Sequence, residues 1–260
     1  MTLSYNMSMS DYLATQGVQS SRLKHILHSP ADYLAAANAP FKESPAQALG
    51  TAIHCAILEP EEFDKRYAMQ NVDFGAKNKG DGYKRWNEFK SLHTDKIVLG
   101  YDDSRRINDI RKVKENHRGL KLILSSGHPE VTCINEYDDV TLKARTDFLG
   151  LDGILWDVKS TSEPLDDYSL LRTVKKFGYH FQAAHHMKTF RDFTSVNGFG
   201  WIFVSTAYPA VHIVCKRAPE SLIAEGMRDH GEAMDRLLEC QNSGEWPSDF
   251  DDDITTLQGV

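Results

Sequence analysis

Apolar side chains recur at two different spacings along this chain, and the change falls near residue 125. Upstream the spacing is helical. Leu23, Ile26 and Leu27 share a face in a segment from Ser20 to His28 that stops near Pro30. Leu49, Ile53, Ile57 and Leu58 do the same from Pro45 to about Glu59, where Gly50 lets a neighbour approach closely. Further helices are expected at about 83–93 and 101–117, after a Gly- and Lys-rich stretch from Asn71 to Asp81 that reads as a mobile loop. From Glu130 onwards the period becomes two. Glu130–Asn135, Val140–Leu149 and Ile154–Ser160 read as strands, with turns at Tyr137-Asp138-Asp139 and Gly150-Leu151-Asp152-Gly153. Helices at roughly 165–175 and 178–192, strands at Gly200–Ser205 and His212–Lys216, and a long helix from Pro219 to about Cys240 complete the pattern. The order predicts an α/β (α+β) fold. With no internal repeat and no linker, one domain over 1–260 is expected, helical over about 1–125, with sheet and helices over about 126–240 and an acidic tail over 245–260.

Composition narrows the partners. The 260 residues are 41% hydrophobic and 10% aromatic, enough for a sizeable core. Lys and Arg number 30 against 37 Asp and Glu, so the net charge of −7 offers no general attraction for a polyanion, which would need a locally basic site. The N-terminus lacks the basic and apolar regions of a secretory signal, and no run approaches the ~18 apolar residues of a membrane span. A soluble, cytoplasmic protein without membrane contact is expected. Cys55, Cys133, Cys215 and Cys240 are far apart and read as reduced thiols, with no zinc-binding pair among them.

Candidate chemistry gathers on two strands. Period two places Lys143, Arg145 and Asp147 on one face of the strand from Val140, and Asp157 and Lys159 together on one face of the next. Across a tight hairpin those faces adjoin. Two carboxylates that hold a hard cation, beside a lysine that positions or deprotonates water, suit phosphodiester hydrolysis. The same residues would also make an ordinary solvated strand face with a cross-strand ion pair.

Asp147, then Trp156-Asp157-Val158-Lys159-Ser160-Thr161, then Tyr179-His180-Phe181-Gln182-Ala183-Ala184 resembles the PD-(D/E)xK nuclease superfamily. More narrowly it is similar to the RecE-type (exonuclease VIII) nuclease domain of phages and prophages, kin to the RecB nuclease domain and lambda exonuclease. The likeness runs from Ser21-Arg22-Leu23 to Gly244-Glu245-Trp246-Pro247. It implies a PD-(D/E)xK core, a central mixed sheet flanked by helices. It also implies Mg²⁺, or Mn²⁺ in its place, held by His54, Asp147, Asp157 and the Val158 carbonyl, with Lys159 and Gln182 completing the catalytic set. Glu130 reads either as a supporting acid, as in lambda-type relatives, or as a strand-edge charge. Tyr179, Gln182 and His186 share a helix face, and His186 stands where the RecB-like Gln-x-x-x-Tyr pattern has tyrosine. His180, His185 and His186 lack the spacing of a zinc hydrolase.

The implied substrate is double-stranded DNA. Ser21 and Arg22 would hold a terminal phosphate, with Lys143, Arg145, Ser160, Thr161, Lys175, Lys176 and Tyr179 as further contacts and the basic helix 105–114 in reserve. The family implies a 5′-to-3′ exonuclease for phage-type recombination in a bacterial cytoplasm. It further implies a homo-oligomeric ring that leaves 3′ single strands for a RecT-type annealing protein. The alternatives are an endonuclease or repair nuclease of the same fold, or an inactive DNA-binding subunit. The intact Asp147, Asp157, Lys159 set speaks against the last.

Overall fold

A computed structural model describes residues 1–40, 44–207 and 210–248. In chain order the first elements are strand β1 (Thr2–Ser4), helix α1 (Met9–Ala14), helix α2 (Ser20–Leu23) running into a 3₁₀ turn (Lys24–Leu27), and helix α3 (Pro30–Asn38). Helices α4 (Pro45–Leu58) and α5 (Pro60–Arg66), strand β2 (Tyr67–Met69), helix α6 (Gly80–Ser91), strand β3 (Ile97–Leu99), and helices α7 (Tyr101–Asn116) and α8 (Arg118–Leu124) follow. Strands β4 (Gly127–Tyr137), β5 (Val140–Gly150) and β6 (Ile154–Thr161), helices α9 (Asp167–Phe177) and α10 (Tyr179–Phe190), strands β7 (Gly198–Ser205) and β8 (Ile213–Arg217), and helix α11 (Glu220–Ser243) complete it.

The β4–β5 hairpin sets the register of the sheet. Asp138 and Asp139 both take positive φ, 47° and 63°, as a two-residue hairpin turn requires, and Tyr137 therefore stands opposite Val140. The six-stranded sheet runs β1-β4-β5-β6-β7-β8. β6 and β7 are parallel while every other pair in it is antiparallel, so this is a mixed sheet. A parallel pair needs a crossover, and α9 and α10 supply it. β2 and β3 form a separate parallel pair.

Helices cover both faces of the sheet. Along β7, Ile202 and Val204 join Ile53, Ile57 and Ile107 of α4 and α7 in one core, while Trp201 and Phe203 point to the other face with Val174, Ala183 and Phe190 of α9 and α10. A third cluster, Leu23, Ile26, Leu142, Phe181, Met234 and Leu237, ties α11 and the N-terminal helices to the end of β5. Among the described residues no helix is long and apolar enough to cross a membrane.

Both prolines expected to end helices also begin new ones. Ser29 caps α3 by accepting from the Asp32 amide at 3.1 Å, with Pro30 in its first turn, and Pro60 opens α5 directly after α4. Proline lacks the N–H that a first turn leaves unpaired anyway. The expected helix 20–28 divides into α2 and a 3₁₀ turn, and the loop expected to reach residue 81 ends at Lys79, where α6 begins. Of the acidic tail, Trp246 stacks on Tyr33 at 5.6 Å and the Pro247 carbonyl accepts from the Ala31 amide. Residues 249–260 lie outside the described residues.

Two features of α10 set expectations for stability. A Cβ at Gly226 of α11 would lie 2.2 Å from the His180 carbonyl oxygen, so Gly226→Ala must push the two helices apart. The overpacking cost of about 1–3 kcal/mol should exceed the gain in helix propensity of up to about 1 kcal/mol. Denaturant titration should give a lower midpoint. The second feature is a buried histidine pair, with His185 Nδ1 3.1 Å from His230 Nε2 and His185 Nε2 3.1 Å from the Lys143 carbonyl oxygen. Burial pushes His185 down to about 4 and His230 down to about 2, so the unfolded chain binds protons first as pH falls. Stability should be full above pH ~6.5 and decline from there towards pH 4, a slope measurable by denaturation at stepped pH.

Candidate active site

The site forms where the sheet opens. β5 and β6 pair only at Phe148–Trp156 and Leu149–Leu155, and beyond those rungs the strands part. Asp147 fills the gap, its Oδ2 accepting from the Val158 amide at 2.6 Å in place of a ladder bond. On the other side of β5, Pro129 pairs with Phe148 and Val131 with Thr146, so Glu130 faces Asp147 between two rungs. Glu130 takes φ 56°, a left-handed conformation uncommon for a residue with a Cβ. Helix α4 lies across this opening. A Cβ at Gly50 would sit 3.5 Å from Ser160 Oγ, and His54, one turn later, places Nδ1 3.2 Å from Asp147 Oδ2. The N-terminal segment Tyr5–Met9 forms another wall of the resulting cleft, about 1340 Å³ in volume.

Two charge groupings meet at it, the second reaching the cleft through Lys159 with Asp157 buried behind. His54, Glu130 and Asp147 each offer a donor atom within 4.8 Å of the others. Asp157 and Lys159 form the second, with Oδ2 2.5 Å from Nζ. Gln182 Nε2 donates to Asp157 Oδ1 at 2.8 Å, and the Tyr179 ring lies 4.6 Å beneath the Lys159 ammonium. Burial opposes charge on both His54 and Asp147, but each stabilises the other: the imidazole is raised above its ordinary value and the carboxyl is held below the usual carboxylate range. Burial raises Asp157 in spite of Lys159, and burial together with the Asp147 charge raises Glu130 against the pull of Arg145. Lys159, although buried against its charge, is raised by Asp157 and Asp147 and is a cation at neutral pH.

The residues fit a divalent cation. Carboxylate oxygens and one imidazole are competent donors for Mg²⁺ or Mn²⁺, and Asp157 Oδ2 is buried with no hydrogen bond, its close partner being the Lys159 ammonium. The set that converges is His54, Glu130 and Asp147, whereas Asp157 turns to Lys159 and Gln182. Glu130 is thus a member of the site rather than an edge charge. Its place was left open by the turn expected at Tyr137-Asp138-Asp139; the signal that finds it is a two-residue turn, from which counting back puts Glu130 opposite Asp147.

Ser21, Arg145, Val158, Ser160, Tyr179 and His186 also line the cleft. His186 is buried, pushed down to about 3 by burial, and its Nδ1 has no hydrogen-bond partner. Other expected DNA contacts are committed elsewhere. Lys143 is 5% exposed and donates to the Tyr12 and Thr15 carbonyls at 3.0 and 2.6 Å, closing the end of α1. Arg22 donates to the Ala37 carbonyl at 2.8 Å, Lys175 pairs with Glu225 at 2.9 Å, and Lys176 lies over Phe177. Thr161 Oγ1 accepts from the Glu163 amide at 3.0 Å. The basic helix, here α7, pairs internally through Arg106–Asp103 and Lys112–Asp109, reaches Asp64 through Arg111, and caps α4 with Lys114 Nζ 2.6 Å from the Ile57 carbonyl oxygen. The N-terminal wall was missed, since β1 and α1 are too short for a periodic signal.

Residues 19–252 match the family model described as a PDDEXK-like domain of unknown function (DUF3799). The chain belongs to this PDDEXK-like family. A solved structure named "Putative exonuclease" from Eubacterium rectale is similar to it with a TM-score of 0.65 at 14% identity, covering 98% of this chain and 96% of that one. A phage related exonuclease from Haemophilus somnus 129PT is 16% identical over 90% of this chain and 98% of that one, with a TM-score of 0.37. At such identities the first likeness speaks to the fold. No curated protein matches the chain. The PDDEXK-like assignment agrees with the mixed sheet and flanking helices.

Proposed function

We propose that the cleft hydrolyses phosphodiesters at the ends of double-stranded DNA, as a Mg²⁺-dependent 5′-to-3′ exonuclease of the RecE type. The observation that carries this reading is the convergence of His54, Glu130 and Asp147 beside the Asp157–Lys159 pair in one open cleft. His54, Asp147 and Glu130 would hold Mg²⁺ or Mn²⁺, with the Val158 carbonyl, and Asp157 once it exchanges its Lys159 contact for the cation, completing the set; when bound the ion polarises the phosphoryl oxygen and acidifies water. Lys159, held as a cation over Tyr179, stabilises charge that grows on the phosphate during attack. Gln182 fixes the rotamer of Asp157. Arg145 is anchored by Glu130 at 2.6 Å and the Met7 carbonyl at 2.7 Å, so its guanidinium is presented to the cleft without rotamer freedom to lose.

The direction of digestion follows from end recognition. A terminal 5′ phosphate carries more charge than an internal diester and offers more oxygens to Ser21, Ser160 and Arg145. Losing one charge-assisted contact costs about 1.5–3 kcal/mol, so duplexes with 5′ phosphates should be degraded roughly ten- to over a hundredfold faster than those with 5′ hydroxyls. Label at the 5′ end should be released before label at the 3′ end. Equal rates on the two ends, or early release of 3′ label, would remove the polarity. In the same reading the 260 residues act as one domain and assemble into a ring in a bacterial cytoplasm, encoded by a phage or prophage. The product is a 3′ single strand for a RecT-type annealing protein. A ring would let an acidic protein handle DNA, because a basic channel suffices while the exterior stays negative.

A further inference from the structure

Helix α6 stands apart from the three hydrophobic cores, and its composition is opposite to that of the whole chain. Residues 77–90 carry five cations, Lys77, Lys79, Lys84, Arg85 and Lys90, against two carboxylates, in a protein of net charge −7. At 100° per residue, Tyr83, Trp86 and Lys90 fall on one face of α6 and Asp81 and Glu88 on the opposite one, with Lys79 at the extended N-cap just before it. None of its aromatic residues belongs to a core cluster among the described residues. They form a satellite group instead. Trp86 stacks near Phe89 at 6.2 Å, Phe89 meets Phe74 at 6.0 Å, and the ammonium groups of Lys77 and Lys90 lie 4.4 and 5.8 Å from the Trp86 ring. Tyr83 is 47% exposed on the same face, beside the half-buried Trp86.

An exposed stripe that alternates cations with aromatic rings suits a flexible polyanion with unpaired π faces. Bases in a duplex are stacked on one another and offer no such face, whereas single-stranded bases do. We propose that this face of α6 binds single-stranded DNA, Tyr83 and Trp86 supplying stacking surface and Lys79 and Lys90 supplying phosphate contacts. Its connection to the cleft is short, because cleft-lining Tyr67 precedes Phe74 by seven residues and that length of chain spans at most about 25 Å. In the reaction proposed above the occupant is the uncut strand leaving the cleft, and this last assignment rests on that reading. The binding itself does not.

The test is equilibrium anisotropy of a short dye-labelled oligothymidylate in EDTA, where no hydrolysis occurs. Tyr83→Ala should weaken binding roughly tenfold and Tyr83→Phe should retain it, since the ring and not the hydroxyl is used. Lys79→Glu combined with Lys90→Glu should weaken binding further and flatten its salt dependence. Lys121→Gln, at an exposed cation on α8 outside the cleft lining, should leave the affinity unchanged. Circular dichroism checks the fold of each variant, and Tyr83 is exposed enough for its single substitutions to stand alone if the charge reversals unfold. Unchanged affinity in Tyr83→Ala, or equal loss in Lys121→Gln, would overturn the platform. So would a Tyr83→Ala variant that loses self-association in sedimentation while keeping oligonucleotide affinity, which would make this face a contact between copies. Failure of duplex cleavage would count against the proposed hydrolysis and leave these binding results standing.

Discussion

Asp147→Asn is expected to abolish divalent-cation binding in the cleft and to lower DNA hydrolysis by about 10³-fold or more. Charge stabilisation of several kcal/mol by a bound cation corresponds to that factor. Asparagine keeps an oxygen for the Val158 amide, so the strand junction should survive while the negative charge is lost. A second readout separates charge from structure. Asp147 is what holds His54 above its ordinary value against burial, so the variant imidazole should titrate lower than in the wild type by NMR. A Mn²⁺ titration by calorimetry that is unchanged in Asp147→Asn would place the cation elsewhere.

Lys159→Ala should reduce turnover by about 10²–10³-fold while cation affinity is kept. Its ammonium is built to act on charge that develops in the reaction, so kcat and kcat/KM should fall together. Removing it also strips Asp157 of its ion-pair partner, leaving a 2%-exposed carboxylate with Gln182 alone, and a stability loss of up to about 3–5 kcal/mol is expected. Lys159→Gln relieves much of that loss by donating to Asp157 yet restores no charge. Single-turnover cleavage by Lys159→Gln at wild-type rate would reduce Lys159 to a structural partner of Asp157.

The parts of this fold that were legible in the sequence are those fixed by local chemistry. The alternation from Val140 places Asp147 on its strand and the Asp157-Val158-Lys159 run on the adjoining one, whereas Glu130 came opposite Asp147 only because the turn expected at Tyr137-Asp138-Asp139 closes with two residues, Asp138 and Asp139. The helical spacing of α4 was legible, while His54, one turn after Gly50, was singled out by the family resemblance. Long-range packing was not legible. Lys143 lies on β5 two residues from Arg145, yet α1 folds over that end of the strand and takes its ammonium for the Tyr12 and Thr15 carbonyls. Arg22 and Lys114 likewise satisfy carbonyls near the ends of α3 and α4, groups that a helix leaves unpaired. Nothing in the sequence around a cation says whether its partner is a phosphate or a distant helix end. Pro30 and Pro60 show the same limit at short range, since a proline that ends one helix is equally suited to start the next.

The claim that the cleft is a cation-dependent nuclease acting from DNA ends is tested most directly with one plasmid in two forms, linear and covalently closed, incubated with Mg²⁺ or with EDTA. Loss of the linear form in Mg²⁺ is expected, with the closed form persisting and both forms intact in EDTA. Persistence of the linear form in both Mg²⁺ and Mn²⁺, or its loss in EDTA, would contradict the claim, and rapid cutting of the closed form in Mg²⁺ would make the enzyme an endonuclease.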